Sequence, residues 1–199
     1  LERVIGRGRS GTVFLARHLG LDEERAIKRV RRTESGFIQE AALLKRLRHP
    51  GIPIIYDLEI DENYYYLIEE YLCGESLYAR IERTGSLQTG ELIRLGIELC
   101  RIMNYLHSFK PNPILYLDLH PGNLLICREQ LKLIDFDQAA LASLSQERSV
   151  CYGTKGFAAP EQYEGGTLDE RTDIYAIGAL LYYMGTGHAP EGEIKAGQG

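Results

Sequence analysis

A chain of 199 residues can bury a core in one domain or in two small lobes. Its 44% apolar and 26% charged residues are ordinary for a globular protein, and a net charge of -5 argues against a general binder of nucleic acid or of membrane surfaces. The cysteines Cys73, Cys100, Cys127 and Cys151 form no CxxC pair, which argues against a patterned zinc site or a disulfide framework and leads us to expect reduced thiols in a cytoplasmic protein.

Val4-Ile5, Thr12 to Ala16 and Ala26 to Val30 alternate like strands, with glycines and charges at the turns. Between the first two lies Gly6-Arg7-Gly8-Arg9-Ser10-Gly11-Thr12-Val13. Glycines so spaced let the backbone pass close to phosphate oxygens, because no side chain intervenes and several N–H groups can point at the anion. By itself the pattern fits a glycine-rich hairpin turn equally well. A dinucleotide-binding fold would run from the glycines into a helix. Thr12 to Ala16 reads instead as another strand, so the glycines are expected at a hairpin tip over a nucleotide, with Lys28 as the cation beneath it. The basic run Lys28 to Arg32 otherwise reads as a solvated strand end.

From Ser35 to Arg48 the period becomes helical, with Phe37, Ala41, Leu44 and Leu47 on one face. Glu40, on the neighbouring face, is either a surface charge or a partner for Lys28. Arg48-His49-Pro50-Gly51-Ile52-Pro53 stops the helix. Ile54 to Ile60 and Tyr64 to Glu70 read as strands that complete a five-stranded antiparallel sheet, and Glu69 to Glu75 leaves that sheet as a hinge. Ser76 to Arg83 and Gly90 to His107 are predicted helices, the second carrying a stripe of Leu92, Leu95, Leu99, Ile102, Met103 and Leu106. A sheet followed by helices means α+β segregation.

The stretch Tyr116 to Asn123 sets an isolated acid, Asp118, five positions before an amide, Asn123. The apolar run Leu124-Leu125-Ile126 follows, and a second run, Leu131 to Ile134, ends in Asp135-Phe136-Asp137. Two short strands that each bring a carboxylate or amide to the same end make a place for a metal ion and a phosphate. Farther on, the longest apolar run, about Ile174 to Met184, is too short to span a bilayer, so no membrane segment is expected within this chain.

Together these residues resemble the eukaryotic-type protein kinase family, of Ser/Thr type. The motifs stand in the family's order: Gly6, Gly8, Gly11 and Val13; Ala26-Ile27-Lys28; Glu40; Glu70-Tyr71-Leu72; Asp118 and Asn123; Asp135-Phe136; Ala159-Pro160-Glu161. The resemblance implies a bilobal fold: an amino-terminal lobe of sheet and one helix (1–70), a hinge (71–75), and a mainly helical carboxy-terminal lobe (76–199) that is short for the family. It also implies ATP and Mg2+ as cofactors and a protein substrate with a Ser/Thr acceptor. Lys28 would contact the phosphates and pair with Glu40, Asn123 and Asp135 would hold magnesium, and Asp118 would take or orient the acceptor's proton. Ile5, Val13, Ala26 and Leu125 would sandwich the adenine, while the hinge backbone at Glu70 and Leu72 would bond its edge. Thr154 would hydrogen-bond near Asp118, and Asp173 would anchor the catalytic loop, although its bland alternative is a helix N-cap.

Several positions depart from the family. Tyr116-Leu117-Asp118 replaces His-Arg-Asp, so the arginine that clamps a phosphorylated activation loop is absent and activity is expected not to require phosphorylation there. Ser143, Ser145, Ser149 and Tyr152 are the hydroxyls that segment offers. His120 stands for the usual lysine, Asp137 for the glycine after Asp135-Phe136, and Glu69, just before the hinge, for an apolar or small residue. Asp-Leu-His-Pro-Gly-Asn followed by Ile-Asp-Phe-Asp also resembles the aminoglycoside and choline phosphotransferases, which lack the segment ending at Glu161. A nucleotide-binding pseudokinase scaffold is the third reading. The arginine that Glu161 usually pairs with has no counterpart among these residues, which predicts a less constrained Glu161 and a carboxy-terminal lobe surface suited to a covering partner.

Overall fold

Period-two alternation up to Glu70 builds five strands, β1 (Arg3–Gly8), β2 (Gly11–His18), β3 (Glu23–Arg31), β4 (Ile55–Ile60) and β5 (Tyr64–Glu70). The computed structural model describes residues 1–8, 11–32, 37–145 and 153–190. The strands form one antiparallel sheet in the order β1-β2-β3-β5-β4, as expected. Register decides which side chains share a face. Val13 lies opposite Lys28, Lys28 opposite Leu67, and Ala26 opposite Glu69, so all five project from one side of the sheet. Gly11, at φ +159°, is required by a close approach: a Cβ there would stand 2.3 Å from the Arg29 carbonyl oxygen.

Between β3 and β4 runs α1 (Phe37–Leu44), which ends earlier than the predicted Arg48. The amides of Arg46 and Leu47 turn to carbonyls three residues back, each at 3.0 Å. The Arg48 guanidinium then donates to the carbonyls of Lys45 and Leu47 at 3.0 and 2.6 Å. Pro50 disfavours helical geometry at His49, so the last turn tightens and stops.

Beyond the sheet the order is β6 (Glu75–Ser76), α2 (Leu77–Thr84), α3 (Thr89–His107), β7 (Ile114–Leu115), β8 (Leu124–Cys127), β9 (Gln130–Leu133), β10 (Ala140–Leu141), α4 (Ala142–Ser145), α5 (Pro160–Glu164) and α6 (Glu170–Thr186). The fold is thus α+β, with the five-stranded sheet followed by a mainly helical part. Gly74 lets the chain lie against β8, where a Cβ would come within 2.4 Å of the Ile126 carbonyl oxygen, and β6 then pairs with β8 at Ile126 and Leu125. Ser76 caps α2 by accepting the Ala79 amide at 3.1 Å.

The predicted stripe of α3 is its buried face: Leu95, Leu99, Ile102, Met103 and Leu106 are almost wholly out of solvent, with Leu92 half-buried at the edge. Each such side chain contributes about 1.5–3 kcal/mol of transfer free energy. Ala176, Leu180 and Met184 of α6 belong to the same core, while Leu92, Ile93, Ile97 and Leu181 line an open apolar groove. This packing makes α6 a fixed post behind the loop between β7 and β8. Among the described residues no helix is long and apolar enough to cross a membrane.

Candidate active site

The loop Tyr116–Asn123 is held chiefly by hydrogen bonds to its backbone. Asp173, 1% exposed on α6, accepts the Leu117 amide on Oδ1 and the Tyr116 amide on Oδ2, each at 2.9 Å; His107 Nε2 lies 2.8 Å from Oδ2. Asp173 therefore anchors this loop, and the N-cap of α6 is Asp169 instead. Leu117 is left-handed, at φ +67°, a conformation that costs a non-glycine residue energy. Tyr116 places its hydroxyl 2.5 Å from the Ile134 carbonyl oxygen and 2.9 Å from that of Asp135. Burial, followed by the charges of Asp135 and Asp118, raises its phenol well above its ordinary pKa, so it remains a donor. Its ring meets Phe136 edge-on at 5.2 Å.

This frame delivers Asp118 to a cleft of about 660 Å³ between the sheet and the helical part. Thr154 Oγ1 donates to Asp118 Oδ1 at 2.9 Å. Asn123 Nδ2 donates to the Asp118 carbonyl at 3.1 Å and lies 3.4 Å from Oδ2. His120 accepts the Gly122 amide on Nδ1 at 3.1 Å, which puts the proton of a neutral imidazole on Nε2, 3.7 Å from Asp118 Oδ2.

Across the cleft Lys28, 6% exposed, donates to Asp135 Oδ1 at 3.1 Å and to Asp137 Oδ1. Asp135 has a left-handed φ of +60°. Glu69 projects from the same sheet face as Lys28 and lines the cleft. Burial, opposed in part by Lys28, raises its carboxyl to about 7. Ile5, Gly6, Gly8, Val13, Ala26, Glu70, Leu72, Asn123 and Leu125 line the cleft as well. Gly11 does not; it pairs with Gly8 beside the hairpin turn and packs on Arg29 and Val30 of β3. Glu40 lies on α1, and its side chain is outside the described residues, so the pairing with Lys28 is outside them too. Of the activation-segment hydroxyls, Ser143 lies in α4 and is exposed, whereas Ser149, Tyr152 and the side chain of Ser145 are outside the described residues.

The stretch after Gly153 packs against the loop. Tyr163 donates to the Gly153 carbonyl at 3.0 Å, and the Gln162 side chain, 2% exposed, donates to the Leu117 carbonyl at 2.7 Å. Glu161 has a partner among the described residues: Thr172 Oγ1 donates to it at 2.8 Å. A threonine three residues inside the helix that follows supplies the donor. Gln162, His107 and Thr172 carried no signal in the sequence, since each makes its contact across a fold boundary.

The chain matches the protein kinase domain family over residues 1–197. It belongs to the protein kinase family. It is 35% identical to the serine/threonine-protein kinase PrkC of Bacillus subtilis, over 94% of this chain and 30% of that protein. It is 30% identical to the serine/threonine-protein kinase pkn3 of Myxococcus xanthus, over 96% of this chain and 38% of that one. Aurora kinase B of Danio rerio is 30% identical over 96% of this chain and 61% of its own length. The kinase domain described here thus spans about a third of the bacterial relatives it matches.

Proposed function

We propose that this domain transfers the γ-phosphoryl group of ATP to serine or threonine hydroxyls of proteins, in a magnesium-dependent reaction. The observation that carries this reading is the bond from Thr154 to Asp118, which ties the segment ending at Ala159-Pro160-Glu161 to the acid of the catalytic loop. Small-molecule phosphotransferases with a similar loop lack such a segment, and the relatives' names point to serine and threonine acceptors.

In the proposed reaction the acceptor oxygen attacks the γ-phosphorus as the bond to the bridging oxygen of ADP breaks. Asp118 takes the acceptor's proton on Oδ2, since Oδ1 is occupied by Thr154. Lys28 would exchange carboxylates for the α- and β-phosphate oxygens, and Glu40 would pair with it. Gly6 and Gly8 let the hairpin approach the phosphates, with Gly11 seating the hairpin on β3, and His120 can donate from Nε2 to the group in transfer. Ile5, Val13, Ala26 and Leu125 would sandwich the adenine between the lobes (1–70 and 76–199), with the backbone of Glu70 and Leu72 in the hinge (71–75) bonding its edge.

Asn123 and Asp135 suit magnesium. The amide nitrogen of Asn123 is turned to Asp118, its oxygen is the group that would bind a cation, and Asp135 brings a carboxylate to the same cleft. One or two protein oxygens completed by phosphates and water is a usual magnesium set. Bound there, the ion would neutralise charge on the phosphate oxygens. Phosphorylation of the activation segment is not required in this reading, because Leu117 is buried against Leu115, Ala140 and Leu168, where the family has a phosphate-binding arginine. A cytoplasmic setting fits the free thiols of Cys73, Cys100 and Cys127.

An assay of magnesium-dependent transfer from ATP to a broad peptide set tests the reading. Asp118→Asn is expected to lower the rate by about 10²- to 10⁴-fold. Transfer to an amino sugar or alcohol with peptides untouched would overturn the protein-acceptor reading, and an unchanged rate in Asp118→Asn would overturn the role of Asp118.

A further inference from the structure

Gln162 is a buried residue outside the cleft whose side chain bonds the backbone next to Asp118. Its amide orientation is fixed by its neighbours. The Ala159 amide can only donate, so Oε1 must face it, at 3.0 Å; the Leu117 carbonyl can only accept, so Nε2 must face that, at 2.7 Å. Leu117 is thereby gripped at both ends. Its N–H is taken by Asp173 from α6 and its carbonyl by Gln162 from α5. Between these two grips the residue keeps φ +67°, and the next residue is Asp118. Leucine does not hold a left-handed conformation by preference, so the surroundings must impose it. Asp173 and Gln162 are the two groups that do so through the backbone.

We propose that Gln162 is a positioning residue for Asp118: its amide bridges the end of the activation segment to the Leu117 carbonyl and so fixes the direction in which the acid is presented. Gly153 belongs to the same device. A Cβ there would stand 2.2 Å from that of Ala158 and 3.1 Å from Gln162 Nε2, so a side chain would push the segment off the bridge. Because Thr154 follows directly and bonds Asp118 itself, the segment reaches the acid twice, once through its side chain and once through its backbone. Seating of the activation segment and aiming of the acid are then one event, and the inference rests on the phosphoryl-transfer reading above for its kinetic consequence.

Two substitutions separate the bridge from mere packing. Gln162→Glu keeps the acceptor for Ala159 and removes the donor for Leu117, while Gln162→Met fills the space with neither. Both are expected to lower kcat between about tenfold and a hundredfold with the KM for ATP within about twofold of wild type. Equal kcat in wild type and in folded Gln162→Glu, or a fall in kcat matched by a rise in KM, overturns the proposal. Amide hydrogen exchange without nucleotide tests the bridge independently of turnover. Exchange over 116–123 is expected to quicken at least tenfold in Gln162→Glu while that over 173–184 is unchanged, and unchanged exchange in the loop overturns the bridge. Absence of transfer by the wild type would count against the functional reading, whereas the exchange result would still decide the bridge.

Discussion

The two walls of the cleft are built on opposite principles. On the helical side almost every polar group has a matched partner: Asp173 takes two amides and a histidine, Tyr116 holds the backbone of Asp135, and Thr154 and Gln162 hold Asp118 and its neighbour. On the sheet side Lys28 faces an excess of acid, with Asp135 and Asp137 bonded to it from the opposite wall and Glu69 beside it. The first wall is rigid by neutral and charge-assisted hydrogen bonds to backbone, which fix direction. The second is electrostatically unbalanced, which makes it responsive to protons and to the arrival of phosphate or a cation.

The largest test is aimed at the rigid wall. Asp173→Ala leaves two buried amides and His107 without their acceptor, at about 1–3 kcal/mol for each group. Chemical denaturation is expected to show a loss of several kcal/mol, and a loss under about 1 kcal/mol would show that the loop does not depend on this post.

Glu69 probes the other wall. Its folded pKa of about 7 lies above the unfolded value of 4.5, so the native state holds a proton that the unfolded state has already released. Stability from this group is therefore fully present below about 4.5 and is lost as pH rises to about 7, an effect on the order of 3 kcal/mol. Glu69→Gln should flatten that part of the stability profile and raise the melting temperature more at pH 8 than at pH 5. The same rise at both pH values would remove Glu69 as the source.

Thr172→Val returns to the first wall and removes the hydroxyl that donates to Glu161, at an expected cost of about 1–2 kcal/mol by denaturation. The smallest effect is expected from Asp137→Gly. Freeing Lys28 from one carboxylate and removing a negative charge near the phosphates should tighten ATP binding about three- to tenfold by calorimetry, about 1 kcal/mol. Weaker binding would mean that Asp137 serves the bound state instead.

Much of this was legible in the chain. The strands and the long helix were readable because each buries one face, so their periods of 2 and 3.6 were written in Val13, Ala26 and Lys28 and in Leu95, Leu99 and Ile102. Even the place of Glu69 follows from alternation, since it lies two residues beyond Leu67, the partner of Lys28. The end of α1 is hidden in the periodicity, because Leu47 keeps the helical spacing after the helix has stopped at Leu44 and is buried all the same. The fate of Glu161 was not legible, because a hydroxyl donor such as Thr172 has no distinctive pattern.

The sequence by itself determined which residues meet at the cleft: motif order and period set Lys28, Asp118, Asn123 and Asp135 on elements that converge. Only the tertiary structure decided how they are held. Asp173 and Gln162 lie 56 and 45 residues from Leu117, and what they grip is its backbone, not its side chain. A backbone N–H or carbonyl is the same at every residue. Its partner is therefore chosen by the packing of α5 and α6, which brings those side chains within hydrogen-bond reach.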